Sequence, residues 1–179
     1  MNDRKVAIYL FGYSCSGKST TETLVRARFP GLYVIDYDVQ KMQLSGYHRH
    51  KDSAYIKVID LGFFEVICKT GKSVLLTSNL LDSEAEYLAY AKISDTYGYD
   101  LLSFEFRASR DTLISRHRGR VEYYKSIGEG DSVKTEEEYL DRINRPYYIP
   151  ENTVTFDTSD TSSEQIANEI LLLSGRAVS

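Results

Sequence analysis

The chain has no tryptophan, only three prolines and only two cysteines in 179 residues. Cys15 and Cys68 stand far apart without the spacing of a zinc knuckle or a redox pair, which excludes a disulfide scaffold and points to a reducing compartment, the cytoplasm. No apolar run approaches the ~20 residues that a membrane span needs, so no membrane partner is expected. Arg4 and Lys5 ahead of Val6 to Phe11 faintly resemble a secretory leader, but the stretch is at the lower limit of length and runs into a glycine-rich turn, so export is not expected. Charge of one sign is scarce too. Twenty-two Lys and Arg against 26 Asp and Glu leave a formal net charge of −4, so no global field draws in a polyanion and any nucleic-acid contact must be local. Internal repeats and low-complexity tracts are also missing.

A composition of 42% hydrophobic and 27% charged residues is that of a folding globular chain, and the length suits one compact domain over 1–179. Short runs rich in apolar, β-branched and aromatic residues predict five strands, at Val6 to Phe11, Leu32 to Ile35, Ser73 to Thr77, Leu101 to Phe106 and Thr153 to Phe156. Helical spacing lies between and after them, as in Val25 with Phe29, Phe64 with Cys68, Leu88 with Ala91, and Ile166 with Ile170. Ser83 with Glu86, Thr135 with Glu138 and Ser162 with Gln165 have the three-residue spacing of reciprocal helix caps. Alternation of this kind predicts an α/β fold, a mainly parallel sheet covered by helices on both faces, with ligands at the carboxyl ends of its strands.

Gly12-Tyr13-Ser14-Cys15-Ser16-Gly17-Lys18-Ser19 has two glycines flanking four residues and then Lys-Ser, between a predicted strand and a predicted helix. That is the pattern of a phosphate-binding loop, in which backbone N–H groups and the positive end of the helix face phosphate oxygens. Gly12, Ser14, Cys15, Ser16, Gly17, Lys18, Ser19 and Thr20 are the expected nucleotide-binding residues. Lys18 would reach the β- and γ-phosphates, and Ser19 would bind Mg²⁺ through its hydroxyl.

Transfer of a phosphoryl group to an alcohol also needs a group to receive the alcohol's proton. Asp36-Tyr37-Asp38 follows the second predicted strand, and strand alternation would send both carboxylates to one side. Asp36 is the expected partner of Ser19 on magnesium and Asp38 the expected base, with helix capping as the alternative role. Lys41, three residues on, would grip an anionic group of the acceptor. His48-Arg49-His50-Lys51 reads as a solvated loop. From about Arg116 to Arg145 the sequence is charged, carries Gly119, Gly128 and Gly130, and shows no strand pattern, so a mobile lid is expected there, with Arg116 and Arg120 closing over the transition state. A solvated loop with a surface helix at Thr135 to Asn144 is the alternative. Thr77-Ser78-Asn79 ends the third predicted strand, where many nucleoside triphosphatases place a magnesium-binding carboxylate, and none is present.

These residues resemble the P-loop kinases that include the phage polynucleotide 5′-hydroxyl kinase domain, and more distantly shikimate and gluconate kinases and the zeta-toxin group. The stretch from Gly12 through Pro30-Gly31 to Lys41 keeps the polynucleotide-kinase spacing, which implies Asp38 as the general base and Lys41 in place of an acceptor-phosphate arginine. Thr77-Ser78-Asn79-Leu80 and Asp95-Thr96-Tyr97-Gly98-Tyr99 resemble further family segments, Arg116 and Arg120 match its lid pair, and Phe156-Asp157-Thr158-Ser159 resembles the segment beside the nucleotide base. The resemblance implies a three-layer sandwich with strand order 2-3-1-4-5 and ATP with Mg²⁺ as donor. It leads to the expectation of a kinase acting on a nucleoside, nucleotide or polynucleotide 5′ end. A small-metabolite kinase and a nucleotide-dependent switch are the alternatives, and a homo-oligomer is left open.

Overall fold

The computed structural model describes residues 4–78, 80–127 and 135–176. Five strands, β1 (Val6–Gly12), β2 (Tyr33–Asp36), β3 (Val74–Thr77), β4 (Asp100–Arg107) and β5 (Val154–Asp157), form one all-parallel sheet in the order β2-β3-β1-β4-β5. Each lies within two residues of its predicted position. The helices are α1 (Lys18–Arg28), α2 (Tyr37–Gln43), α3 (Arg49–Thr70), α4 (Glu84–Tyr97), α5 (Arg110–Ser126), α6 (Glu136–Ile143) and α7 (Ser163–Leu173).

Why β1 is central follows from its residues. All seven are buried, and a strand sends alternate side chains to opposite faces, so a strand covered on both sides must be apolar throughout. Ile8 and Leu10 pack with Val25 of α1, with Phe29 at its carboxyl end, and with Ile166 and Ile170 of α7. Ala7, Tyr9 and Phe11 face the other way, onto Phe64 and Cys68 of α3 and Tyr90 of α4. Each large side chain buried here stabilises the sheet by about 1.5–3 kcal/mol in transfer terms. This central strand delivers Gly12 and the loop after it to the carboxyl edge of the sheet.

The predicted caps form as reciprocal boxes at Thr135 with Glu138 and at Ser162 with Gln165. Ser83 accepts from the Glu86 N–H, but the Glu86 carboxylate turns to Lys57 and the Asp82 N–H instead.

Two expectations need correction. The His48–Lys51 segment is not a loop: His48 caps α3, and the Asp52 carboxylate accepts from its N–H at 2.6 Å. β2 stops at Asp36, and α2 begins at Tyr37, so Asp36 and Asp38 are not alternating strand residues. The lid region is also more regular than its charge suggested. α5 starts at a Ser109 cap and runs through Gly119 to Ser126, because a single interior glycine with open space around it costs only about 1 kcal/mol. Gly128 and Gly130 lie outside the described residues. α6 puts Tyr139 and Ile143 against Leu113 of α5. Among the described residues no helix is long and apolar enough to cross a membrane.

Candidate active site

The loop between β1 and α1 is shaped by positions that tolerate little change. At Gly12 (φ 140°) a Cβ would stand 2.3 Å from the Phe106 carbonyl oxygen, so only glycine lets the chain leave β1 this close to β4. Gly17 (φ 93°) caps α1 in the left-handed region, and Cys15 (φ 66°) adopts it as well. No acidic residue occupies the first turn of α1, so its free N–H groups keep their full attraction for an anion. The Lys18 ammonium donates to the Gly12 carbonyl at 2.9 Å and the Tyr13 carbonyl at 2.8 Å. Burial lowers its pKa to about 8, opposed by the nearby carboxylates of Asp38 and Asp36.

Across the crevice, β2 and α2 supply the acidic side. One oxygen of Asp36 (Oδ1) accepts from the Asp38 N–H at 2.7 Å and the Val39 N–H at 3.3 Å, so Asp36 caps α2. Asp38 stands in the first turn of α2 and forms an ion pair with Lys41. Partial burial pushes the Asp38 carboxyl up, but Lys41, then Lys18 and Arg120, more than offset this and hold it below its ordinary value. The Lys41 ammonium also lies over the rings of Tyr37 at 5.3 Å and Tyr47 at 5.9 Å. Thr77, level with Asp36 on the adjacent strand, ends β3 without a carboxylate. Behind this wall Asp60 of α3 is buried, and burial together with the Asp36 charge lifts its carboxyl to about 7.

The third side is formed by α5 and the segment after β5. Arg116 donates to Thr158 Oγ1 at 2.9 Å, to the Thr158 carbonyl at 2.6 Å and to the Cys15 carbonyl at 3.3 Å, tying α5 to the phosphate loop and to the segment after β5. Arg120, one turn on, lies over the Tyr124 ring at 5.5 Å. His117, between them in α5, turns inward and stacks on Tyr139 at 4.0 Å. The Tyr139 hydroxyl in turn donates to the Ser14 carbonyl at 2.8 Å, so α6 is anchored on the loop. Arg118 pairs with Glu136, and Arg145 with Asp141, leaving both engaged on the surface.

These sides enclose a cavity of about 670 Å³, of the size that holds a cofactor-sized ligand. Its lining includes Ser14, Cys15, Ser16, Gly17, Lys18, Ser19, Thr20, Asp36, Asp38, Arg116 and Arg120. Gly12 and Lys41 are outside the lining: Gly12 shapes the loop from beneath, and Lys41 reaches the cavity through Asp38. Sequence reasoning missed Tyr37, the anchoring Tyr139 and the hydroxyl-rich wall at Asp160–Ser163. The wall had a signal, a Ser/Thr/Asp run directly after the last strand. Tyr139 had none, since its partner is 125 residues away.

No family model and no curated protein matches the chain. Solved structures do. The chain is similar to the APS kinase CysC of Mycobacterium tuberculosis, solved with AMPPNP and APS, at 20% identity over 95% of this chain and 97% of that one, with a TM-score of 0.68. The likeness is one of fold. A sugar kinase from Janibacter sp. is similar in fold at 15% identity, 94% and 93% coverage and a TM-score of 0.66. Shikimate kinase from Aquifex aeolicus is likewise similar at 21% identity, 95% and 97% coverage and a TM-score of 0.51. None of these three is named as a polynucleotide kinase, so the resemblance to that group rests on the residues of this chain.

Proposed function

We propose that the protein is an ATP-dependent kinase that transfers the γ-phosphoryl group to a hydroxyl of a small molecule. The observation that carries this reading is one cavity in which Lys18 and the open amino end of α1 face the Asp38 carboxylate, with Arg116 and Arg120 at its rim. A switch would need no base opposite the phosphates. The kinases of similar fold act, by name, on APS, sugar and shikimate, which supports a small acceptor over the nucleic-acid end expected from sequence. The Lys41 ion pair with Asp38 supports it too, because it leaves that ammonium committed rather than open to an acceptor phosphate.

In this mechanism the loop N–H groups bind phosphate oxygens, and the Lys18 ammonium turns from the Gly12 and Tyr13 carbonyls to the β- and γ-phosphates. Asp38 accepts a hydrogen bond from the acceptor hydroxyl and takes its proton. A carboxylate held ionised well below neutral pH is suited to this, since in a loose transition state the proton leaves late and the base chiefly orients the attacking oxygen. Arg116 and Arg120 neutralise charge spreading over the transferred group. Ser19 and the second oxygen of Asp36 are the donors that would hold Mg²⁺, which when bound neutralises the phosphates. Among the described residues no group of three or more His, Cys, Asp or Glu could hold a metal ion.

The test is transfer from γ-labelled ATP to a mixed pool of sugars, amino alcohols, nucleosides, nucleotides and oligonucleotide 5′ ends. Label is expected in a new phosphomonoester with the parent protein and not with Lys18→Ala. Label appearing only as inorganic phosphate would show a hydrolase, and the kinase reading would be wrong.

A further inference from the structure

The two long sides of the cavity differ in charge in a way that bears on the acceptor. Among the described lining residues, the cations Lys18, Arg116 and Arg120 all belong to the phosphate loop and the lid. The side built from β2, α2 and the end of β3 presents Asp36, Tyr37, Asp38, Thr77 and Ser78, with two carboxylates and no cation. Lys41 behind it is spent on Asp38, and Lys57 on α3 is spent on Asp82 at 2.6 Å and Glu86 at 2.8 Å. A third carboxylate, Asp60, lies within electrostatic reach of Asp36 and Tyr37.

A second observation is independent of charge. Thr77 lines the cavity yet is only 7% exposed, and its hydroxyl oxygen has no hydrogen-bond partner. Asp60 is 5% exposed, and its Oδ1 has none either. An unmet polar atom at this depth is unfavourable, and of the two only Thr77 borders the cavity, where a ligand hydroxyl or ammonium can pair with its oxygen. A hydroxyl or ammonium group brings donors. A phosphate, sulfate or carboxylate brings acceptors and a like charge, and like charges close together at this side cost several kcal/mol.

Resting on the kinase reading above, we infer that the acceptor is an uncharged or ammonium-bearing alcohol, such as a sugar, amino sugar or amino alcohol, bound against Asp36, Asp38 and Thr77, with Asp60 adding negative charge from behind that wall. Anionic alcohols are disfavoured by the same surface. Its donor groups meet the carboxylates of the β2–α2 side while its reacting hydroxyl faces Asp38. Transfer then forms a bond from that oxygen to the γ-phosphorus, breaks the bond to ADP and leaves the alcohol proton on Asp38.

The experiment measures kcat/KM for the full chain, with ATP and Mg²⁺, over alcohols grouped by charge within each scaffold: amino sugar, parent sugar and uronic acid; amino alcohol and hydroxy acid; nucleoside and nucleoside 3′-phosphate. The best acceptor is expected to be cationic or neutral, with its anionic counterpart at least about tenfold poorer, the size of one unfavourable charge contact. With that acceptor, Thr77→Val is expected to raise acceptor KM by up to about tenfold, the size of one lost hydrogen bond, while ATP affinity measured without acceptor stays at the parental value. An anionic best acceptor overturns this inference and leaves the kinase reading standing. No transfer to any alcohol overturns both. Unchanged acceptor KM in Thr77→Val removes Thr77 from the subsite and overturns the placement of the acceptor against this wall.

Discussion

The donor and acceptor sides of the crevice are finished to different degrees. On the donor side every key group already has a partner: Lys18 on two loop carbonyls, Arg116 on Thr158 and Cys15, and Tyr139 on Ser14. On the acceptor side α2 has no buried residue, Asp38 is tied only to its neighbour Lys41, and Thr77 and Asp60 hold unmet oxygens. The contrast teaches that the donor side is held in place by protein partners before a triphosphate arrives, with Lys18 exchanging two carbonyls for phosphate oxygens, whereas the acceptor supplies part of its own site.

If the donor side is preorganised, single changes there should be the most severe. Lys18→Ala is expected to lower transfer by at least about 10³, read as initial rate of label transfer, since the charge that follows the γ-phosphoryl into the transition state is removed. Asp38→Asn, on the other side, should slow transfer by about 10² to 10⁴ with ATP affinity close to the parental value. Parental turnover in that variant would mean that Asp36 or another group takes the proton. Arg116→Lys keeps the charge and loses the fork that spans Thr158 and Cys15, so turnover should drop by roughly 10- to 100-fold. If turnover holds, the lid contact is structural only.

The smallest effect sharpens the acceptor side and concerns stability. The folded pKa of Asp60, about 7, exceeds its ordinary 3.8, so the native state holds more protons between those values and stability falls as pH rises through that window. Asp60→Asn removes the ionised form. It should therefore raise unfolding stability at pH 8 by about 1–3 kcal/mol and change little at pH 4, checked by thermal melts at both values. A melt lowered equally at both would show that Asp60 is held by contacts rather than strained by charge.

Legibility in the sequence followed the range of the forces involved. The five strands and the phosphate loop were readable because local pattern decides them: β1 is apolar at nearly every position, and the loop's glycines, lysine and serine stand at fixed intervals. Capping boxes at Thr135 and Ser162 were readable for the same reason. The end of β2 was not. Asp36 can continue a strand or cap a helix, and the choice falls to α2 through two N–H groups that sequence alternation does not weigh. The run of α5 beyond Arg116 was hidden by its charge, since a helix whose buried face rests on few side chains, Leu113 and His117 among them, carries little periodicity. The Tyr139–Ser14 anchor and the Asp60–Asp36 influence join distant segments, and nothing local announces either.

The central claim is that the loop after β1 grips a triphosphate through Lys18. Calorimetric titration of the full chain with ATP and Mg²⁺ tests it most directly. One site is expected, with affinity falling by up to tenfold per pH unit above about 8, because Lys18, lowered to about 8 by burial, must regain its proton to bind. No heat of binding at neutral pH, or affinity that Lys18→Ala leaves unchanged, would contradict it.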